Sequence, residues 1–213
     1  MMLRQILTLF LVASLLSIHL PGGESRMNGI ENVENGCVCH SSSSSPEVQI
    51  TLQGMPEKFD SNTTYNLRIS VEGGATPIEN AINTAGFNFW VHNGRLAPTS
   101  NDSQLTDSLQ LTHTEYGNDQ RTWNVTWTSP SDDTLSVDWR LTVNTVNGDG
   151  WEFAGDMWNQ ISGTAVGVNG TAPNPVSPLF VYGIPIALVT MAAIGYIMVT
   201  RSDSKALDSD EEE

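Results

Sequence analysis

Lysine is nearly missing from these 213 residues: only Lys58 and Lys205 are present. With 24 acidic against 9 basic residues, the formal charge is −15. Residues 26–178 alone hold seventeen acidic and six basic side chains, so the acidity belongs to the body as well as to the tail. Such a surface repels nucleic-acid phosphates and anionic headgroups, which excludes a nucleic-acid partner. Cysteine is as scarce, with Cys37 and Cys39 the only pair. No disulfide can therefore tie distant parts of one chain together, and a core must carry the stability. A sustained helical period is absent from the body, which excludes a bundle. Also absent are a nucleophile elbow, a His-Glu-x-x-His pattern and a phosphate loop, so the chain is not expected to be an enzyme.

The ends hold two long apolar runs. Arg4 precedes an apolar stretch over residues 6–18, followed by Pro21, Gly22 and Gly23. This is the layout of an export signal spanning residues 1–25, with Gly23 and Ser25 as the small residues before cleavage; a retained anchor is the alternative. Cys37 follows Glu34, Asn35 and Gly36 rather than a leucine-rich run, so lipid attachment there is not expected. Residues 179–200 carry no charged side chain. At about 1.5 Å per residue this segment reaches about 33 Å, enough for one transmembrane helix. Arg201 and Lys205 follow at once, whereas the last basic residue before it is Arg140. That asymmetry puts residues 201–213, an acidic tail, in the cytoplasm and the body outside the cell membrane. Residues 171–178, with Pro173, Pro175 and Pro178, form a semi-rigid stalk.

Between these ends, apolar and polar residues alternate. Val48, Ile50 and Leu52 share one face, as do Tyr65, Leu67, Ile69 and Val71. Further runs are Phe87, Phe89 and Val91, then Trp123, Val125 and Trp127, then Val137, Trp139, Leu141 and Val143. Turn chemistry separates them at Gly73-Gly74, Asn93-Gly94, Gly117-Asn118 and residues 147–150. Short alternating strands with frequent turns imply an all-β domain of two packed antiparallel sheets over residues 47–170. Trp123, Trp127 and Trp139 fall on the apolar faces and are expected in the core.

The order of motifs resembles the reeler domain, and more closely the prokaryotic secreted domains called choice-of-anchor V. It is carried by Gly86-Phe87, by Leu111-Thr112-His113-Thr114, by Trp123 through Pro130 with Trp127 inside it, and by Val137-Asp138-Trp139. The match spans roughly residues 36–162; Val125 and Ser129 stand where those domains carry Phe and Ala. It implies an immunoglobulin-like β-sandwich at the cell surface and carries over no catalytic residue. Such domains often open with Cys-x-x-Cys-His, which looks like a c-type haem attachment site. This chain has Cys37-Val38-Cys39-His40, one residue shorter. In an extended chain, cysteines two apart diverge, which sets this spacing against the usual one.

Two thiols and an imidazole within four residues also suit other soft metals. Haem, copper or zinc at Cys37, Cys39 and His40 is thus one reading of residues 26–46, with a redox partner. His113 is the better placed of two further histidines, the other being His92. The competing reading is a surface adhesion or ligand-binding module with no cofactor, whose cysteines form only a local disulfide or a bridge to another subunit. The serines at 41–45 read as a solvated linker. Asn62, Asn101, Asn124 and Asn169 each begin an N-glycosylation pattern, which would make the exported domain a glycoprotein. Residues 147–152 could offer oxygens to calcium, but a plain turn is the simpler expectation.

Overall fold

The alternating runs become strands, ten in all among the described residues, in a computed structural model that describes residues 28–31, 33–151, 155–172 and 185–194. The chain divides into two units, Met1–Thr171 and Ala172–Glu213. In the first unit the strands are β1 (Val48–Gln53), β2 (Lys58–Phe59), β3 (Thr64–Gly73), β4 (Ala85–Val91) and β5 (Arg95–Pro98). They continue with β6 (Ser103–Asp107), β7 (Gln110–His113), β8 (Thr122–Thr128), β9 (Ser136–Thr145) and β10 (Met157–Gly167). One four-stranded sheet runs β1-β3-β8-β5, and a six-stranded sheet runs β2-β10-β9-β4-β7-β6. All pairings are antiparallel except the two-residue contact of β2 with β10, which departs from the expected antiparallel rule.

The two sheets share one core, as a sandwich requires. Leu67, Ile69, Trp123, Val125 and Trp127 from one sheet meet Phe87, Phe89, Leu111, Leu141 and Val143 from the other. Phe87 packs on Trp123 with ring centroids 4.9 Å apart, and Phe59 meets Trp127 edge-on at 5.5 Å. Buried indoles need a hydrogen-bond acceptor. Trp123 Nε1–H donates to Gly117 O at 2.7 Å, and Trp127 Nε1–H donates to Asn93 O at 3.1 Å. Trp139 is only partly buried; its indole crosses Gly163, where an added Cβ would lie 2.5 Å from the ring.

Two features depart from the pattern. Period-two alternation implies a dry face and a wet one, yet β4, β7 and residues 141–145 of β9 are buried on both. Asn88, Gln110, Thr112, Thr142 and Asn144 point away from the apolar core and are still buried. The chain before β1 meets Asn88, Thr112 and Asn144, while Gln110 is bonded to Asn88 and Thr142 to Gln160. The second departure is β10, at eleven residues the longest strand, which the alternation did not reveal. Its Asn159, Gln160, Ser162, Gly163 and Thr164 supply little apolar signal, and it is held by its full register with β9.

In the second unit, residues 185–194 are helical. Among the described residues no helix is long and apolar enough to cross a membrane. The rest of the expected span, residues 179–184 and 195–200, lies outside the described residues, as do the export signal over 1–25, most of the stalk and the tail over 201–213.

Candidate functional site

Residues 28–31 and 33–45 form a strap over the outer face of the six-stranded sheet. It starts at the β6–β7 side, where Gln104 Nε2 donates to Asn28 O at 2.6 Å and Glu115 N–H donates to Asn28 Oδ1 at 3.1 Å. It then crosses β4: Asn88 Nδ2 donates to Ile30 O at 2.7 Å. Val33 is buried, and a turn closes with Gly36 N–H on Val33 O at 3.0 Å. Gly36 has φ +87°, and a Cβ there would sit 2.0 Å from the Trp158 ring. Only glycine satisfies both the left-handed backbone and the close approach. Trp158 is the strap's anchor. Its Nε1–H donates to Ser41 O at 2.7 Å, and its own carbonyl accepts from Ser45 N–H at 2.7 Å. The serine run, expected as a solvated linker, is therefore pinned at both ends, with only Ser42, Ser43 and Ser44 exposed.

Cys37, Cys39 and His40 lie between Gly36 and this anchor. His40 N–H donates to Cys37 O at 2.9 Å, so the cluster is a turn. The divergence expected of cysteines two apart in an extended chain does not apply. Both cysteines are half-buried free thiols, and the local disulfide considered above is not formed. Burial pushes the Cys37 thiol up to about 12, and a charge on Cys39 would add to the rise.

The imidazole of His40 is gripped from two sides. Nδ1 lies 2.9 Å from Asp156 Oδ2, and Nε2 lies 3.2 Å from Asn144 Nδ2. The His40 side chain is 19% exposed and that of Asp156 only 4%. Asp156 Oδ1 also accepts Asn147 N–H at 3.0 Å, at the root of the β9–β10 loop. Beside the pair lies a cavity of about 50 Å³, bounded also by Asn83, Gly148 and Trp151. Trp151 is 75% exposed.

His113 is buried at the end of β7. Its Nδ1 lies 3.1 Å from Phe87 N and 3.3 Å from Phe87 O, and its ring fills the space over Gly86. Burial lowers its pKa, the backbone contact with Phe87 opposes this, and His40 nearby lowers it further. Gly86 pairs with Asn144 across β4 and β9, so His113 belongs to the same end of the sheet as His40. His92 is exposed beyond the other end of β4. Among the described residues no three His, Cys, Asp or Glu side chains converge as a metal site. Zinc or copper held by a cage of side chains is thus not formed in this arrangement, and both ring nitrogens of His40 are already met, one by Asp156 and one by Asn144.

The four candidate glycosylation residues are exposed and spread over the domain. Asn62 and Asn101 are in turns, Asn124 is on β8, and Asn169 donates from Nδ2 to both Asp133 oxygens at 3.1 Å. In the 147–151 loop, Asp149 accepts from Trp151 N–H at 2.8 Å and from Asn147 Nδ2 at 2.9 Å, an Asx turn that occupies its oxygens.

Sequence reading missed Gly36, Asn144, Asp156 and Trp158. A glycine before the first cysteine was the one available hint; the other three residues come from strands and loops far along the chain.

No family model and no curated protein matches the chain. Similar solved structures include the human F-spondin reeler domain, at 14% identity and TM-score 0.35, covering 55% of this chain and 93% of that one. Another is a cohesin module from a family 33 glycoside hydrolase of Clostridium perfringens, at 10% identity and TM-score 0.35, covering 60% and 100%. A lipoprotein from Bacteroides thetaiotaomicron, at 10% identity and TM-score 0.31, covers 63% and 85%. At these identities and scores the likenesses bear on no residue of the site.

Proposed function

We propose that this chain is a non-enzymatic cell-surface β-sandwich module, held to the membrane by residues 179–200, whose Cys-x-Cys-His strap carries haem for exchange of electrons with a surface partner. The motif order aligns it with the choice-of-anchor V group. The observation that carries the cofactor reading is the His40–Asp156 contact at 2.9 Å. A histidine that binds a metal through one ring nitrogen usually gives its other N–H to a carboxylate or carbonyl, which fixes the ring and its tautomer. Haem suits the donor set better than zinc or copper. Joined through thioethers, it asks the two cysteines for covalent bonds and only His40 for a ligand nitrogen. Bound there, it would supply one-electron chemistry. The protein's part is to hold the turn against Trp158, orient the imidazole and screen one side of it with the β9–β10 loop.

The test is optical. Full-length protein purified from its native membrane is expected to show a Soret band that survives denaturation and disappears in the Cys37→Ser, Cys39→Ser double variant. Colourless, haem-free native material would end the reading and leave the adhesion or ligand-binding module, with Cys37 and Cys39 oxidised to a disulfide. Protease treatment of intact cells should cleave the body if it lies outside the membrane.

A further inference from the structure

We infer that the end of the sandwich holding the cysteine turn is a docking surface for a protein segment that carries Lys or Arg beside aliphatic or aromatic side chains. It stands apart from the haem reading and uses the membrane-held reading above only for what is tied to the opposite end. Among the described residues of the first unit, eight large apolar side chains are exposed, and five belong to this end: Val38, Ile78, Ile82, Tyr116 and Trp151. Their loops are joined. Ile78 N–H donates to Asn147 O at 2.8 Å, and Thr84 N–H donates to Asn118 O at 2.7 Å, just past Tyr116. Trp151 borders the cavity beside His40, whose turn carries Val38.

The loops are also fixed. Ala81 N–H closes a turn on Ile78 O at 3.1 Å, with Asn80 at φ +64°, a backbone that asparagine adopts more readily than most residues. A Cβ on Gly148 would lie 2.5 Å from that of Ala81, so the two loops touch. Trp151 N–H is held by Asp149 Oδ1 at 2.8 Å. Exposed apolar side chains gathered in one place mark an interaction site, and loops already ordered lower the cost of binding.

The charge around them selects the partner. Glu79, Glu115, Asp119 and Asp149 are exposed on or beside the same loops. Arg121 is the one described Lys or Arg at this end, and its terminal nitrogens donate to the chain's own carbonyls, Gly73 O at 2.7 Å and Ala75 O at 2.6 Å. Lys58 and Arg95 lie at the other end, opposite Val166 and Thr128, while Arg68 and Arg140 are mid-strand. Carboxylates around an apolar patch steer and hold a cationic partner. A second copy would set the same carboxylates against each other across a two-fold interface, and anionic headgroups are repelled likewise. β10 runs about 33 Å from Met157, beside these loops, to Gly167. The chain leaves the body there, with Ser136 Oγ donating to Thr171 O at 3.4 Å. An anchor at residues 179–200 is therefore tied to the opposite end.

The test pans a random library of short displayed peptides on the full-length chain, purified from its native membrane into discs of neutral lipid, with empty discs as the blank. Enriched sequences are expected to place Lys or Arg beside aliphatic or aromatic residues. A synthetic peptide of the most enriched sequence should bind at least about tenfold more weakly to Ile82→Ser and to Trp151→Ser, and equally well to Leu135→Ser at the other end. Glu79→Gln combined with Asp119→Asn should slow its association and flatten the salt dependence. These side chains are exposed, so the variants should keep the wild-type urea midpoint. Enriched peptides without Lys or Arg, no enrichment over empty discs, or affinity indifferent to Ile82 and Trp151 overturns the inference. So does self-association in sedimentation that Trp151→Ser abolishes, which would give the face to a second copy. A colourless sample that still binds ends the haem reading and leaves this one standing.

Discussion

Alkylation of Cys37 in the haem-free protein tests the docked strap directly. Burial pushes its thiol pKa up from 9.0 to about 12. At pH 8 a shift of three units lowers the thiolate fraction about a thousandfold. The more basic thiolate is the better nucleophile, and a Brønsted slope near 0.4–0.5 recovers about 15- to 30-fold of that loss. Iodoacetamide should therefore label native Cys37 at least about thirtyfold more slowly than the same residue in urea, with peptide mass spectrometry following each cysteine separately. Gly36→Ala then removes the protection. At φ +87° alanine costs about 1–2 kcal/mol in backbone strain, and its Cβ collides with the Trp158 ring. The strap should lift, and the Cys37 rate should approach its unfolded value while the sandwich stays folded. The same shift has a stability consequence. The folded thiol holds its proton above the unfolded value, so stability is complete below about pH 9 and is lost as pH rises toward 12, by at most about 4 kcal/mol. Native Cys37 reacting at its unfolded rate, or Gly36→Ala leaving it protected, would refute the docked strap.

Three further outcomes probe the fold. Trp123→Ala should cost about 3–5 kcal/mol, read as a fall in the urea midpoint, because it empties a fully buried site packed on Phe87. Ser129→Ala should cost about 1–3 kcal/mol, since the buried Ser129 hydroxyl donates to Asp60 O at 2.5 Å and accepts Thr63 N–H at 2.9 Å; no change in the midpoint would show that the turn does not depend on it. His113, held neutral by burial, should make the protein lose stability as pH falls below about 6.5, where the unfolded chain gains a proton that the folded one resists, until the folded pKa is reached. Urea midpoints measured from pH 8 to 5 should slope less in His113→Gln than in the wild type.

Most of the sandwich could be read from alternation because side chains two apart on a strand share a face, and burial of one face demands apolar residues there. That rule located β1, β3, β4, β8 and β9 with their inward residues. It passed over β10, whose Ser162, Gly163 and Thr164 are acceptable only because β9 supplies a full ladder and Trp139 covers Gly163. It also passed over β2, β5, β6 and β7, which are short and owe their form to pairing rather than to pattern. The cysteine–histidine cluster stood out because its residues are contiguous. Its partners did not: His40 and Asp156 are 116 positions apart, and nothing local in a Gly-Asp-Met sequence marks a carboxylate as the one that faces an imidazole.

The polar residues on the outer face of the six-stranded sheet carry the deeper lesson. Asn88, Gln110, Thr112, Thr142 and Asn144 alternate with apolar neighbours as solvent-facing residues do, and alternation alone assigns them to water. Their chemistry fits a different role. Asn88 gives its amide to a strap carbonyl and its oxygen to Gln110 Nε2, Thr142 donates to Gln160 Oε1, and Asn144 meets His40. Leucines at these positions would bury more apolar area but would strand the strap's carbonyls and N–H groups, each at about 1–3 kcal/mol. An irregular segment can lie dry on a sheet only where side chains replace the hydrogen bonds it gives up to water. The polar face is therefore the receptor for the strap, and the position of Cys37, Cys39 and His40 follows from it. Replacing Asn88 with leucine should consequently loosen the distant cysteine turn as well as the contact at Ile30, and faster alkylation of Cys37 in that variant is the result the argument requires.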